Sequence, residues 1–418
     1  MKVELKVISG PHEGQAFQFD SHDTFLVGRG PQAHFRLPKK DSFFSRLHFM
    51  VEVNPPHCRL TDLESTNGTL VNNHRVEQAD LKNGDILRGG KTQIRVRIQD
   101  DDIRATRRQV APPPGSIDTS GEGPKVAEAI KSETPVPTPA SVSPLEIGPY
   151  QVEREIGRGG MGVVYLARHS SGGDPIALKT IRPDIQASER DIKLFLRESQ
   201  VLQSLTHPQI IRFIEVGQDQ GQLYFAMEYV PFRNAAQLLA ERGPLPIPLA
   251  VTIASQVLEA LEHAHAQRYV HRDIKPENVL VNDDGSDVQT KLADFGLARI
   301  YQASRMSGIT MQGDAGGSLA FAPPEHLTNY RNATPVGDLY SVGAMLYTLL
   351  TGTLIYDFPD SVAKAVLMVL QSDPVPITER RPDLPSRLVD TINKSLQREP
   401  ASRFETAAEM RAALVGWT

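Results

Sequence analysis

Short alternating runs of apolar and polar residues fill the first hundred positions. Lys2–Ile8, Ala16–Phe19, Thr24–Val27, Phe49–Val53 and Gln93–Ile98 are separated by Gly, Pro, Asn and Asp. A period of two predicts strands, and so many short ones predict a β-sandwich over residues 1–100. From 103 to 148 there is no Phe, Tyr or Trp, while proline recurs from Pro112 to Pro144. Such a stretch buries too little apolar surface to offset its ordering entropy, so 101–148 is expected to be a disordered linker. Strand patterning returns at Val163–Ala167 and Leu223–Val230, and helical spacing joins it. Ile192, Phe195, Leu196, Ser199, Leu202 and Leu205 recur at i, i+3, i+4 and make one buried stripe. Ala250–Gln267 is amphipathic, Leu339–Leu350 is strongly apolar with Asp338 as its expected N-cap, and Ala407–Leu414 is the last helix. The pattern therefore predicts a second, α+β unit over 149–416, strand-rich to about 230 and helical beyond. No membrane anchor or sensor domain is expected after its last helix.

Composition narrows the class. A chain of 418 residues exceeds one ordinary core, and 40% hydrophobic with 23% charged residues is normal for a soluble globular protein. A net charge of −5 with 45 basic residues argues against a polybasic nucleic-acid binder. Cys58 is the single cysteine, which excludes internal disulfides and thiolate zinc sites and fits the reducing cytoplasm. The N-terminal MKVELKVISG alternates and carries Glu4, so it reads as a strand and not a signal peptide. Leu339–Tyr356 is broken by Gly343, Thr348, Thr351 and Gly352, and reads as a buried helix with no membrane span. His12, His22, His34, His57 and His74 share no metal-ligand spacing.

Three clusters in the β-rich region carry chemistry: Gly28-Arg29-Gly30, Ser45-Arg46-Leu47-His48, and Ser65-Thr66-Asn67-Gly68-Thr69. In this order they resemble a forkhead-associated (FHA) domain, which binds phosphothreonine peptides through its loops. A phosphate dianion needs a cation and converging hydroxyl and amide donors. The resemblance implies that Arg29, Ser45, Arg46 and Thr66 supply them, that Asn67 holds the peptide backbone, and that His48 braces the loop. Linker residues Thr106, Thr119, Thr134 and Thr138 are candidate phosphoacceptors within reach of that domain, on a tether spanning roughly 35–40 Å at about 5–6 Å × √n.

The second unit contains HRDIKPENVL, His271 to Leu280, followed by Asp294-Phe295-Gly296. Phosphoryl transfer needs a carboxylate to orient a hydroxyl, and oxygen ligands to hold a metal against nucleotide phosphates. Upstream, Gly157-Arg158-Gly159-Gly160-Met161-Gly162-Val163-Val164 is a G-x-G-x-x-G-x-V between apolar-alternating segments, and Lys179 ends Ile176-Ala177-Leu178-Lys179. These motifs, in this order, resemble a protein kinase, and GRGGMGVVY resembles the glycine loops of bacterial, eukaryotic-like Ser/Thr kinases. The resemblance implies ATP with Mg²⁺, or Mn²⁺ in its place. Asp273 would orient the acceptor, Lys275 neutralise the transferred group, and Asn278 and Asp294 hold the metal. Lys179 would pair with the phosphates and with Glu198. Ile156, Gly157, Gly159, Gly160, Gly162, Val164, Ala177, Met227, Glu228, Val230 and Leu280 would surround the nucleotide. Glu325 and Arg403 would form a bracing ion pair, and Asp338 would steady the catalytic loop.

Lys275, two residues past Asp273, fits the serine/threonine branch. Arg272 would sense a phosphate on the activation segment, where Thr310 is the favoured acceptor over Ser304 and Ser307. Ser318, Phe321 and Pro324 depart from the usual residues where substrate docks. The expected partners are protein Ser/Thr acceptors and phosphothreonine peptides, including the chain's own linker or activation segment, with a transient dimer as one route to self-phosphorylation. The alternative is a catalytically silent, kinase-like phosphopeptide-binding scaffold. Such proteins usually lack one of Lys179, Glu198, Asp273, Asn278 and Asp294, and this chain has all five.

Overall fold

Alternation in the N-terminal region folds into two packed sheets. The computed structural model describes residues 2–20, 22–38, 42–55, 57–99, 145–159, 162–182, 203–284, 287–295, 317, 319–328 and 333–417. Residues 101–144 of the predicted linker, Glu198 with its predicted helix, Gly160, Gly296, Thr310 and Ser318 lie outside the described residues. The last four positions of that predicted linker, 145–148, are ordered instead, because Glu146–Ile147 pairs as a strand with Tyr150 and Gln151. The strands are β1 (Lys2–Ser9), β2 (Ala16–Phe19), β3 (Asp23–Gly28), β4 (Phe35–Arg36), β5 (Phe49–Asn54) and β6 (His57–Asp62), then β7 (Thr69–Val71), β8 (His74–Val76), β9 (Gln78–Asp80), β10 (Ile86–Gly89) and β11 (Thr92–Gln99). One sheet runs β2-β1-β11-β10-β7-β8 and the other β4-β3-β5-β6-β9. In β1, Val3, Leu5 and Val7 point inward to meet Phe25, Val27, Phe49, Val51 and Leu60.

Two strands depart from the half-buried expectation. From Thr24 to Gly28 and from Phe49 to Val53 every residue is buried. Phe25, Val27, Phe49 and Val51 face the sandwich core. The residues between them pair across the opposite face, Leu26 with Met50 and Thr24 with Glu52. Continuous burial along a strand means both faces are covered. The cover is the helical part of the same chain: Leu26, Ala33, Leu47, Met50 and Leu63 belong to the apolar cluster that also holds Leu327, Val366 and Leu370.

The second unit begins with an antiparallel sheet of β12 (Glu146–Ile147), β13 (Tyr150–Gly159), β14 (Gly162–His169), β15 (Ile176–Ile181), β16 (Phe213–Asp219) and β17 (Gln222–Glu228), ordered β12-β13-β14-β15-β17-β16. A small sheet follows, of β18 (Arg233–Asn234), β19 (Val279–Asp283) and β20 (Val288–Leu292). The helices are α1 (Ala235–Arg242), α2 (Ile247–Ala266), α3 (Pro324–Thr328), α4 (Pro335–Thr351), α5 (Val362–Gln371), α6 (Ile377–Arg380), α7 (Ser386–Ser395) and α8 (Ala407–Ala413). Asn234 and Gln237 close a capping box on α1.

Helix α4 is the central pillar. It is buried on every side from Gly337 to Leu350, as an all-round apolar helix must be in water. It starts four residues before Leu339, at Pro335 with Thr334 in the cap position, so Asp338 is inside the first turn and not the N-cap. Its carboxylate is fully buried and is used elsewhere. No helix among the described residues is long and apolar enough to cross a membrane. Glu325 on α3 takes both forks of Arg403 at 2.6 and 2.8 Å, and the Arg403 guanidinium lies 4.9 Å from the Tyr340 ring centroid.

Candidate functional site

The loop from His271 to Asn278 hangs from Asp338. Asp338 Oδ2 accepts from the His271 backbone N–H and Oδ1 from that of Arg272, both at 2.8 Å, while His265 Nε2 lies 2.8 Å from Oδ2. Burial acts to raise the Asp338 pKa, but His265 and these backbone donors outweigh it, so the group sits below its ordinary value. Arg272 has φ +71°, a left-handed conformation that costs a non-glycine residue about 1–3 kcal/mol. Its bond to Asp338 holds that conformation in place. His271 Nδ1 accepts from the Asp273 N–H, which leaves Nε2 to donate to Ala293 O at 2.9 Å. That bond ties the loop to the segment that leads into Asp294.

Asp273 is flanked by two donors. Lys275 Nζ is 3.1 Å from Oδ1, and Asn278 Nδ2 donates to Oδ2 at 3.0 Å and to the Asp273 carbonyl at 2.7 Å. Burial pushes the Asp273 pKa up, but Lys275 and the hydrogen bonds from Lys275 and Asn278 carry it below the ordinary carboxylate value. Lys275 is buried yet raised by Asp273, so it keeps its proton. A planar amide that spends its nitrogen on Asp273 turns its oxygen the other way. Asn278 Oδ1 and the Asp294 carboxylate are hard oxygen donors of the kind Mg²⁺ selects. Asp294 also has positive φ, +65°, and accepts from Lys179 Nζ at 2.6 Å.

The upper sheet positions the rest. Val164 pairs with both Gly157 and Lys179, and Ala177 pairs with Met227. A Cβ at Gly162 would fall 1.8 Å from Thr180 O, so that glycine is demanded by the strand crossing beside it. Ile156 and Gly159 lie on β13 and Leu280 on β19. Met227 shares an apolar pocket with Leu205, Phe213, Phe225, Asp294 and Phe295. Glu228 follows Met227, and its side chain accepts from Lys291 Nζ at 2.7 Å and from Arg212 N at 3.0 Å. Sequence reading placed Glu228 only among the residues around the nucleotide, and its side chain also ties the end of β17 to β20.

In the sandwich, the three motif loops meet at one edge. Arg29 N donates to Ser45 O and Gly30 N to Arg46 O. A Cβ on Gly28 would meet Arg46 O at 2.4 Å and one on Gly30 at 2.7 Å, which is why Arg29 stands between two glycines. Ser45 Oγ accepts from Thr66 N at 3.0 Å and lies 3.4 Å from Thr66 Oγ1. Asn67 Nδ2 donates to Phe43 O at 2.7 Å. His48 is fully buried, accepts from Ser45 N through Nδ1, and packs among Phe43, Phe44 and Phe49. The Arg29 Nε is buried with no hydrogen-bond partner among the described residues. Asp62, which sequence reading passed over, accepts from Ser65 N, Ser65 Oγ and Thr69 Oγ1 and pins the third loop. Its signal was an acid three residues before a serine, an Asx-type turn.

The model of the protein kinase domain matches residues 150–414, well over half the chain. The chain belongs to the protein kinase family. The FHA domain model matches residues 25–90 of the same chain. The kinase is 34% identical over 265 residues to the serine/threonine-protein kinase PrkC of Bacillus subtilis, covering 63% of this chain and 40% of that protein. It spans half or less of the length of this and other such relatives. The crystal structure of the Mycobacterium tuberculosis PknI kinase domain superposes with a TM-score of 0.53 at 28% identity, covering 67% of this chain and 100% of that one. Rad53 1-466, solved with AMP-PNP, shares the fold across 99% of this chain and 100% of its own, with a TM-score of 0.52 and 21% identity. This chain thus carries a protein kinase domain and an FHA domain, and its kinase domain is similar to those of bacterial serine/threonine-protein kinases. Family membership implies ATP and a divalent metal in general terms.

The kinase brings Asp273, Lys275 and Asn278 into one hydrogen-bonded group and Lys179 and Asp294 into another, and the Ala293 N–H donating to Asn278 O joins their two segments. Val230 follows the same strand as Met227 and Glu228, at the junction of the lobes. Among the described residues no three or more His, Cys, Asp and Glu side chains are grouped so as to hold a metal ion. Cys58 is buried and its thiol is pushed up to about 12, mainly by burial, with Glu52 and Asp85 adding to it.

Proposed function

We propose that the kinase transfers the γ-phosphoryl group of ATP to serine and threonine hydroxyls of proteins while its FHA domain binds phosphothreonine peptides. The observation that carries the catalytic half is the Lys179–Asp294 and Asn278–Asp273–Lys275 contact network around one cleft. Asp273, held as a carboxylate, accepts a hydrogen bond from the acceptor hydroxyl and aims its oxygen at phosphorus. Lys275, charged and 3.1 Å from Asp273, offsets negative charge on the group in transfer. Mg²⁺, or Mn²⁺, held by Asn278 and Asp294 would neutralise the phosphate oxygens. Lys179 and the glycine loop orient the nucleotide, with Ile156, Val164, Ala177, Met227 and Leu280 around its base. Glu198 and Thr310 keep the roles the family resemblance implies, as partner of Lys179 and as phosphoacceptor sensed by Arg272.

The reader half rests on the orphaned Arg29 Nε, on a loop whose backbone bonds to Ser45 while Ser45 Oγ accepts from Thr66 N. A phosphate oxygen would give that buried donor its acceptor. Its ligands are phosphothreonine segments, the chain's own included, and ATP dependence with a single cysteine suits the cytoplasm. Phosphosite mapping after incubation with Mg-ATP, beside an Asp273→Asn control, tests the catalytic half. Phosphate on threonines of the active chain and none in the control is expected. No phosphate in either sample, with ATP binding intact, would instead favour a silent scaffold. Titration with a phosphothreonine peptide tests the reader half separately.

A further inference from the structure

We propose that the outer face of the β3–β5 sheet is an interaction surface for the chain's own helical lobe, and that protein acceptors compete with the FHA domain for that lobe. A two-sheet sandwich normally turns its outer faces to water. Here Thr24, Leu26, Met50 and Glu52 are all buried on that face. Leu26, Ala33, Leu47, Met50 and Leu63 merge with the lobe's apolar cluster. Polar contacts frame the apolar centre. Gln32 Nε2 donates to Leu370 O at 3.0 Å, Glu64 pairs with Lys364 at 3.2 Å, and His34 bonds to the Thr328 backbone. An apolar centre with a polar, half-exposed rim is the anatomy of a specific interface.

What the surface covers gives it a function. It lies on α3 and α5. Helix α3 continues from the turn Leu319–Phe321, and Phe321 O accepts from Ser341 on α4 at 2.7 Å. The same α4 carries Asp338, which suspends the catalytic loop. The covered segment and Asp273 thus share one floor. In this proposal a protein chain presenting its hydroxyl to Asp273 crosses that segment, whereas the nucleotide lies against the upper sheet that carries Lys179. The docked domain therefore opposes protein acceptors and leaves ATP alone. Arg46, Thr66 and Asn67 remain exposed at the edge of the interface, so the phosphothreonine loops stay reachable in the docked state.

The second half of the proposal rests on the kinase reading, but the first half is tested without catalysis. The full chain and its Met50→Glu variant are compared by small-angle X-ray scattering, with far- and near-ultraviolet circular dichroism as the folding control. The variant sets a carboxylate on the outer face and leaves the sandwich core intact. A larger radius of gyration is expected, with at least a threefold lower KM for a protein acceptor, here the Asp273→Asn copy of the chain. The kcat and the KM for ATP should stay the same. Unchanged scattering from a folded variant overturns the docking. An expanded variant with unchanged acceptor KM overturns the competition. An inactive wild type would sink the kinase reading and leave the scattering result standing. Should Met50→Glu unfold the sandwich, the charge pair decides. Lys364→Glu and Glu64→Lys are each expected to speed amide exchange in β3 and α5, and the double reversal to restore it. Singles equal to wild type, or a double without rescue, overturn the proposal.

Discussion

Replacing Asp338 by asparagine tests how much of catalysis is loop geometry. The wild-type carboxylate is fully buried and takes three polar contacts, His271 N, Arg272 N and His265 Nε2, each at 2.8 Å. Asparagine offers one oxygen and one NH₂ at the same place. With the oxygen toward Arg272, the NH₂ meets the His271 N–H, donor against donor. A buried N–H without an acceptor costs about 1–3 kcal/mol. The surviving bond to Arg272 loses its charge assistance, worth roughly 1 kcal/mol more. Arg272 is also the residue held at φ +71°, so it gains from leaving that conformation. The total is about 2–4 kcal/mol. If the loop relaxes to avoid that cost, Asp273 is displaced and the loss appears in the transition state. At 1.36 kcal/mol per factor of ten, kcat should fall by roughly 30- to 1000-fold. The KM for ATP should change little, because Lys179 and the glycine loop do not touch Asp338. The assay is steady-state phosphorylation with both substrates varied, alongside thermal melting. A variant with kcat within threefold of wild type and an unchanged melting temperature would refute the assignment of Asp338 as the support of the loop.

Three further outcomes are expected. Arg403→Ala leaves Glu325 partly buried without its fork and should cost about 3–5 kcal/mol of stability, read by chemical denaturation. Burial lowers the His326 pKa to about 4, against the pull of Glu325 and Asp338, so the unfolded chain takes up a proton that the folded chain refuses. The stability this protects is complete above pH 6.5 and is lost as pH falls toward 4. The loss is about 3 kcal/mol, and a His326→Gln chain should lack that part of the pH dependence in denaturation midpoints. Arg29→Ala should weaken binding of a phosphothreonine peptide at least tenfold, because a charge-assisted hydrogen bond contributes about 1.5–3 kcal/mol, while leaving kinase activity on a short peptide unchanged; calorimetry and activity assays read the two arms.

Much of this architecture is legible along the chain because local chemistry and final environment agree. Val3, Leu5 and Val7 alternate in the sequence and alternate in burial. The catalytic motif is legible because its residues bond to near neighbours, as Asn278 does to Asp273. The local pattern read Asp338 as a cap, because an acid before an apolar run usually is one; only the family resemblance pointed to the catalytic loop, since its partners there are 67 and 66 residues away in sequence. The burial of β3 and β5 on both faces was missed for a related reason. Thr24-Phe25-Leu26-Val27 and Phe49-Met50-Val51 are continuous apolar runs more than alternations, but only the folded lobe shows what meets Leu26 and Met50. The tie from Glu228 to Lys291 was likewise illegible, since nothing in the neighbourhood of Glu228 in the sequence announces a partner 63 residues away.

The doubly covered β3 and β5 also change what it means to cut this protein in two. A sandwich produced alone would bring Leu26, Ala33, Leu47, Met50 and Leu63 to water together. An apolar patch of that kind drives self-association. The severed fragment is expected to pair with itself through a face that the intact chain keeps covered. A single proteolytic nick between residues 100 and 144 should do the opposite, leaving two pieces that elute as one particle. For this kinase the boundary between domains in the sequence is not the boundary between parts that come apart.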